Sequence, residues 1–239
     1  MQNKQVTICA CTSRSFIDKD KVVGIATAMK KKGYEVKIEA DLCRKVMTAS
    51  PDMQEIAAGT IMACYPRAIR SHLNWLGLDT EHIVDIRSSS SEEILSNFDI
   101  FISESKDIQD VSILRQEIEG YPVENGTDAW YPVIDKTRCT ECGKCHDFCL
   151  FGVYTVENKR VKVTQPQNCK NNCPACARIC PSKAIIFPKY EKSPINGGLQ
   201  EEEQFNPHEM DTMYKERLRY KLQQRRASIP LYKRNKNNS

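Results

Sequence analysis

Apolar and polar residues alternate along Gln5–Cys9 as they do in a strand. Asp18–Lys32 changes to a helical period, with Val22, Ile25, Ala26 and Met29 on one face, and stops at Gly33, a natural residue just past a helix end. Tyr34–Glu39 alternates again. Ser50-Pro51 reads as an N-cap followed by Pro at the first helical position, opening a short helix that ends at Gly59. Thr60–Ala63 is a short buried strand, Pro66–Leu76 a helix closed by Gly77, His82–Ile86 a strand and Ser91–Phe98 a helix. This alternation predicts an α/β domain with a mostly parallel sheet. Beyond it, Asp99–Ser103 reads as a strand and Val111–Glu119 as a helix.

The pattern divides the chain into residues 1–128, 129–190 and 191–239. The middle segment holds eight cysteines in an internal repeat, which predicts a smaller α+β domain. Linker signals run from Pro188 to Gln204, with Pro194, Asn196-Gly197-Gly198 and a run of three glutamates. Asn206-Pro207 then opens an amphipathic helix with Glu209 at the capping-box position. Its apolar stripe is Met210, Tyr214, Leu218 and Leu222.

Composition adds one feature, twelve cysteines among 239 residues. The N-terminus shows no apolar signal-like stretch and no small-residue cleavage site, so a cytoplasmic chain is expected. In a reducing compartment, many cysteines point to metal or redox chemistry rather than to disulfides. No apolar run approaches the roughly 18 residues of a membrane helix, so no transmembrane segment is expected. The ten glycines contain no Gly-x-Gly, and the Walker A pattern is absent as well. The dinucleotide fingerprint is therefore missing, and no FAD or NAD site is evident.

The formal charge of +4 conceals an asymmetry: from Lys215 onward there are nine basic residues and one acid, so the rest of the chain is net acidic. The basic helix has three readings: packing on its own body, docking on a protein partner, or binding an anionic polymer or membrane. Nucleic acid is not expected as a partner, because few aromatics interleave with the charges.

Cys139-x2-Cys142-x2-Cys145-x3-Cys149 is followed by Cys169-x3-Cys173-x2-Cys176-x3-Cys180-Pro181. A cubane needs a thiolate on each of four irons, and three closely spaced cysteines can wrap three corners. The fourth cysteine of each run is expected to start a helix, point away and reach the other cluster. That assigns Cys139, Cys142, Cys145 and Cys180 to one [4Fe–4S] cluster, and Cys149, Cys169, Cys173 and Cys176 to a second. The competing readings are a pair of tetrahedral zinc sites and a disulfide framework. The segment resembles the bacterial two-cluster ferredoxin. It departs from that pattern in having three residues between Cys169 and Cys173, and Leu150 rather than Pro after Cys149. Val153–Thr164 alternates around Glu157-Asn158-Lys159, as the central hairpin of that fold would.

Cys9, Cys11, Cys43 and Cys64 are far apart in sequence, yet each follows a predicted strand of the parallel sheet. Ligands of such sheets gather outside the carboxyl ends of the strands, so these four thiols form a candidate third [4Fe–4S] site. Pro66 would start the next helix with its positive end toward that site. A redox-active pair and buried, inert thiols are the alternatives. Residues 5–87 resemble the N-terminal domain of the flavin-bearing polypeptide of heterodisulfide reductase, through Cys9-Ala10-Cys11, Asp41-Leu42-Cys43 and Ala63-Cys64-Tyr65-Pro66-Arg67. The resemblance implies a cluster on the four cysteines and a cofactor-binding role for Arg67. Thr12 stands where the family has Gly, and the family's flavin domain is missing, so flavin-based electron bifurcation is not implied.

These readings lead to an iron–sulfur electron-transfer protein with two or three clusters. It is expected to be a non-catalytic subunit serving a flavoprotein, a ferredoxin, a hydrogenase or a reductase subunit, with docking through the C-terminal helix as an option. Two alternatives stay open: direct reduction of a disulfide or small substrate at the N-terminal cluster, and a ferredoxin module on a structural α/β adaptor. No catalytic nucleophile or acid–base pair is evident. His146 is expected at the surface, and His72 and His82 as ordinary helix and strand residues.

Overall fold

The computed structural model describes residues 4–80, 82–101, 108–121 and 128–198, together with Lys215, Arg219 and Gln223. The first part runs β1 (Gln5–Cys9), α1 (Lys19–Lys31), β2 (Glu35–Glu39), α2 (Leu42–Met47), α3 (Met53–Ala58), β3 (Thr60–Ala63), α4 (Pro66–Trp75), β4 (Ile83–Asp85), α5 (Ser91–Ser96) and α6 (Ile108–Glu119). Its four strands form a parallel sheet in the order β2-β1-β3-β4. Val6 sits between Val36 and Thr60, and Ile61 beside Ile83. Val6, Ile8, Ile61 and Met62 are fully buried, as expected of central parallel strands covered on both faces. Asp18 caps α1, accepting from the Asp20 N–H at 2.8 Å, and the helix ends before Gly33 at φ 86°.

Two local expectations are corrected, and one helix is added. α3 begins at Met53 rather than Pro51, because Ser50 is drawn to Asp52 (Oγ to Oδ1, 2.6 Å) and leaves no side-chain cap on the helix. α2 has no forecast in the sequence pattern; Asp41 starts it by accepting from the Arg44 N–H at 3.4 Å. Asp99 turns at φ 54°, and Asp99–Phe101 are not in a strand; residues 102 and 103 lie outside the described residues.

The second part contains β5 (Val133–Ile134), α7 (Lys144–Phe148), β6 (Tyr154–Glu157), β7 (Arg160–Val163), a 3-10 turn at Pro166–Asn168, α8 (Ala175–Arg178) and β8 (Ile185–Ile186). β5 and β8 pair antiparallel, and β6 and β7 form the expected hairpin. Asn158 and Lys159 both take positive φ at its tip, as a tight two-residue hairpin turn demands. Another expectation is corrected here: neither fourth cysteine starts a helix. Cys149 stands at the C-terminal cap of α7 with extended backbone, and Cys180 follows the end of α8. The third cysteine of each run, Cys145 or Cys176, lies within the short helix, so the chain has left the helix when it presents the fourth.

Both parts share one apolar core. Ala129, Tyr131, Val133 and Ile186 belong to the same buried cluster as Ile8, Met62 and Leu73, and Cys169 packs against it. The segment with linker composition is also packed as far as Gly198: Lys189, Ser193, Ile195 and Asn196 are buried. Gly197 adopts φ +100°, where an added Cβ would lie 2.8 Å from the Ala68 Cβ, so a side chain there would collide with α4. The described residues through Gly198 lie in one compact unit. Lys215, Arg219 and Gln223 belong to a second unit and are helical and exposed. The apolar stripe expected of that helix lies outside the described residues. Among the described residues, no helix is long and apolar enough to cross a membrane.

Candidate metal centres

All twelve cysteines are free thiols, and the fold gathers them into three groups. Cys139, Cys142, Cys145 and Cys180 line one cavity, walled by Ile134, Val161 and Ile185. The loop carrying the first three is set by the Cys139 N–H, which donates to Asp135 O at 3.0 Å, and by Gly143 at φ 73°, which opens α7. The Cys180 sulfur accepts from the Ala184 N–H at 3.3 Å. Burial pushes the Cys145 thiol up to about 12, and Cys180, Cys139 and Cys142 add to the effect. Burial likewise raises Cys139, with Cys180 and Cys142 contributing.

Cys149, Cys169, Cys173 and Cys176 form the second group. Burial pushes Cys169 up to about 12, and the thiols pressing on it are Cys173 and Cys149. Cys176 is buried and is raised by burial first, then by Cys169, Cys149 and Cys145. The Tyr154 hydroxyl donates to its sulfur at 3.1 Å. Cys145 thus reaches both groups electrostatically, so the two lie side by side.

The third group forms at the carboxyl edge of the parallel sheet. Cys9 ends β1, and Cys11 sits in the following loop at φ 48°, an uncommon left-handed conformation for a side-chain-bearing residue. Cys43 occupies the first turn of α2, and Cys64 follows β3, two residues before Pro66 opens α4. Cys9, Cys11 and Cys43 are buried. Burial raises Cys9 and Cys43 well above the ordinary thiol value and pushes Cys64 up to about 12. Cys11 presses on all three others, and Cys64 on Cys9 and Cys43.

The donor set decides what such groups can hold. Soft thiolates suit iron–sulfur clusters and zinc. Zinc draws its sulfurs to about 2.3 Å from a single point, whereas a cubane spreads four thiolates over four irons. Among the described residues no three Cys, His, Asp or Glu side chains converge tightly enough for a single ion. The N–H donor on the Cys180 sulfur, inside apolar walls, and the O–H donor on the Cys176 sulfur suit an anionic, sulfur-rich group.

Arg67 faces the second part of the chain. Its Nε donates to Asp135 Oδ2 at 2.7 Å, and its terminal nitrogens donate to the carbonyls of Pro194 (3.2 Å) and Lys183. It therefore clamps α4 to the loops around β8. Arg14 makes a parallel bridge, pairing with Asp128 at 2.6 Å, reaching Asn172 at 2.7 Å and lying 5.1 Å from the Trp130 ring. Trp75 donates to Val163 O at 3.1 Å, and Tyr131 donates to Cys43 O at 2.7 Å. His146 is exposed beside Asp147, and His82 is exposed just before β4. His72 is fully buried in α4.

Two residues at these centres escaped the sequence reading. Lys189 reaches from beyond β8 to Asp41 and Ser13 next to the third group, and Tyr154 reaches Cys176 from β6. Neither carries a local signal: one sits in a stretch with linker composition, the other at an ordinary inward strand position.

No family model matches the chain. It is 51% identical over 67 residues to an uncharacterized ferredoxin of Methanocaldococcus jannaschii, a match covering 28% of this chain and 45% of that relative, less than half of its length. A second uncharacterized ferredoxin of the same organism is 35% identical over 58 residues, covering 23% of this chain and 74% of the relative. Ferredoxin-3 of Nostoc sp. is 33% identical over 78 residues, covering 23% of this chain and 79% of the relative. With most of two ferredoxins matched, the chain belongs to the ferredoxin family, whose iron–sulfur groups carry electrons.

Proposed function

We propose that this chain is a relay that holds three [4Fe–4S] clusters and passes electrons singly between redox partners, as a non-catalytic subunit of a complex of the heterodisulfide reductase type. The ligand sets are Cys139, Cys142, Cys145 and Cys180; Cys149, Cys169, Cys173 and Cys176; and Cys9, Cys11, Cys43 and Cys64. When bound, such clusters supply one-electron storage at a potential tuned by their surroundings. The side chains do the tuning and the insulation. Tyr154 and the Ala184 N–H donate to sulfur and so favour the more negative, reduced charge state. Ile134, Val161 and Ile185 limit water at the first group. Arg14, Arg67, Trp75 and Tyr131 hold the two parts of the chain in fixed contact.

The observation that carries this reading is the third group. Four thiols remote in sequence are gathered at one sheet edge, in the same packed unit as a ferredoxin-type double cysteine run. Suitable partners are a flavoprotein, another ferredoxin, a hydrogenase or a reductase subunit, met in the cytoplasm and docked with help from the basic C-terminal segment. Iron and acid-labile sulfide per chain, measured on anaerobically purified protein, test the cluster number. About twelve irons, falling to about eight in Cys64→Ser, support the relay. About eight in both would leave a two-cluster ferredoxin attached to an α/β adaptor.

A further inference from the structure

The third group has a buried cation beside it that comes from the other end of the described chain. Lys189 lies three residues beyond β8, and its side chain is 2% exposed. Its ammonium donates to Asp41 Oδ2 and to Ser13 Oγ, and Ser13 in turn donates to Asp41 Oδ2 at 3.1 Å. Ser13 is two residues past Cys11, and Asp41 is two residues before Cys43. The three side chains therefore tie together the two loops that present those thiols.

We propose that Lys189 is a positioning and tuning residue for the N-terminal group, its fixed positive charge making whatever Cys9, Cys11, Cys43 and Cys64 hold easier to reduce. The inference rests on the proposed cluster at those four cysteines. A thiolate-bound cubane is anionic and gains one further negative charge on accepting an electron from a one-electron donor. A nearby cation stabilises the reduced form more than the oxidised form. The effect is strong where water cannot screen it.

The neighbouring charges are mixed. Asp41 opposes Lys189, while Asp85 and Arg87 act on Cys64 from the end of β4. Arg87 is half-buried and turned partly outward, over Phe16 at 4.2 Å and toward Glu191 O at 3.2 Å. Lys189 is the better shielded of the two cations. Burial works against its charge, but Cys43, Asp41 and Cys11 outweigh it, so its pKa is raised and it stays protonated.

The test uses the full chain, purified anaerobically, as wild type, Cys64→Ser, Lys189→Met and Lys189→Arg. Iron and sulfide are measured first. Each protein is then titrated with a reduced viologen, a one-electron reductant, and followed by electron paramagnetic resonance. The signal missing from Cys64→Ser identifies the N-terminal cluster. Its potential should shift downward in Lys189→Met and stay near wild type in Lys189→Arg, with the other two clusters unmoved. An unchanged or raised potential in Lys189→Met overturns the proposal. Loss of about four irons in Lys189→Met, but not in Lys189→Arg, supports it in stronger form, because charge then decides whether the site fills. The same loss in both variants overturns it, since shape rather than charge would be what the site needs. About eight irons in the wild type would instead refute the third cluster itself, and this inference with it.

Discussion

His72 is buried at 1% exposure in α4, and neither ring nitrogen has a hydrogen-bond partner among the described residues. It lies 5.7 Å from the Tyr131 ring. Burial lowers its pKa to about 3, and the charge of Lys189 pushes in the same direction. The folded protein therefore holds the imidazole neutral, whereas the unfolded chain takes up a proton below about pH 6.5. The depressed pKa contributes stability that is complete above the unfolded value and is lost as pH falls toward the folded one. Between pH 7 and pH 5 the loss is about 2 kcal/mol. His72→Phe removes the step, so urea unfolding of the variant should lose about 2 kcal/mol less than the wild type across that interval. Parallel losses in the two proteins would show that His72 is protonated, or reaches water, in the folded state.

At the scale of elements, what decides the site is how α4 meets β5, β8 and the segment after β8. Arg67 is the centre of that contact: its side chain is 16% exposed, its partner Asp135 is 8% exposed, and its remaining bonds go to two carbonyls. Arg67→Ala leaves a buried carboxylate without its main cation, at a cost of about 3 kcal/mol. It should shift the urea midpoint downward and leave iron and sulfide content unchanged. A loss of iron in that variant would instead bear out the cofactor-binding role that the family resemblance implies for Arg67. The elements themselves were unevenly legible. The strands and longer helices of the first part followed hydrophobic period and glycine stops, because those signals are local. The cysteine runs were legible because iron–sulfur ligation in ferredoxins imposes its own spacing. α2 was not, since a six-residue helix straight after a strand shows little periodicity. The packed stretch from Pro188 to Gly198 was misread because its Pro, Asn and Gly content suits a linker equally well. Lys189 and Asp41 are 148 residues apart, a pairing that only the folded chain displays.

At the scale of the molecule, the sequence divides at residue 128, yet the core does not. Tyr131, Val133 and Ile186, all buried, fill the same apolar cluster as the sheet residues Ile8 and Ile61. Tyr131 also packs 5.5 Å from the Trp75 ring and donates to the Cys43 carbonyl, so it braces the backbone that presents one thiol of the third group. A chain ending at residue 128 would uncover the faces of His72 and Trp75 that meet the Tyr131 ring. It would also lose both Lys189 at Asp41 and Asp135 at Arg67. Small domains have little stability in reserve, and losing one large buried aromatic alone costs about 3–5 kcal/mol. Residues 1–128 expressed alone should therefore lack a sharp urea transition and the near-ultraviolet circular dichroism of fixed aromatic packing. A cooperative transition in that fragment would mean that the α/β part closes its own core. The third group would then be a self-contained site, and Lys189 at Asp41 and Asp135 at Arg67 would be additions to a finished domain. A broad, non-cooperative unfolding would mean that the ferredoxin part is a structural component of the N-terminal site, and that residues 1–128 reach their packed state only together with it.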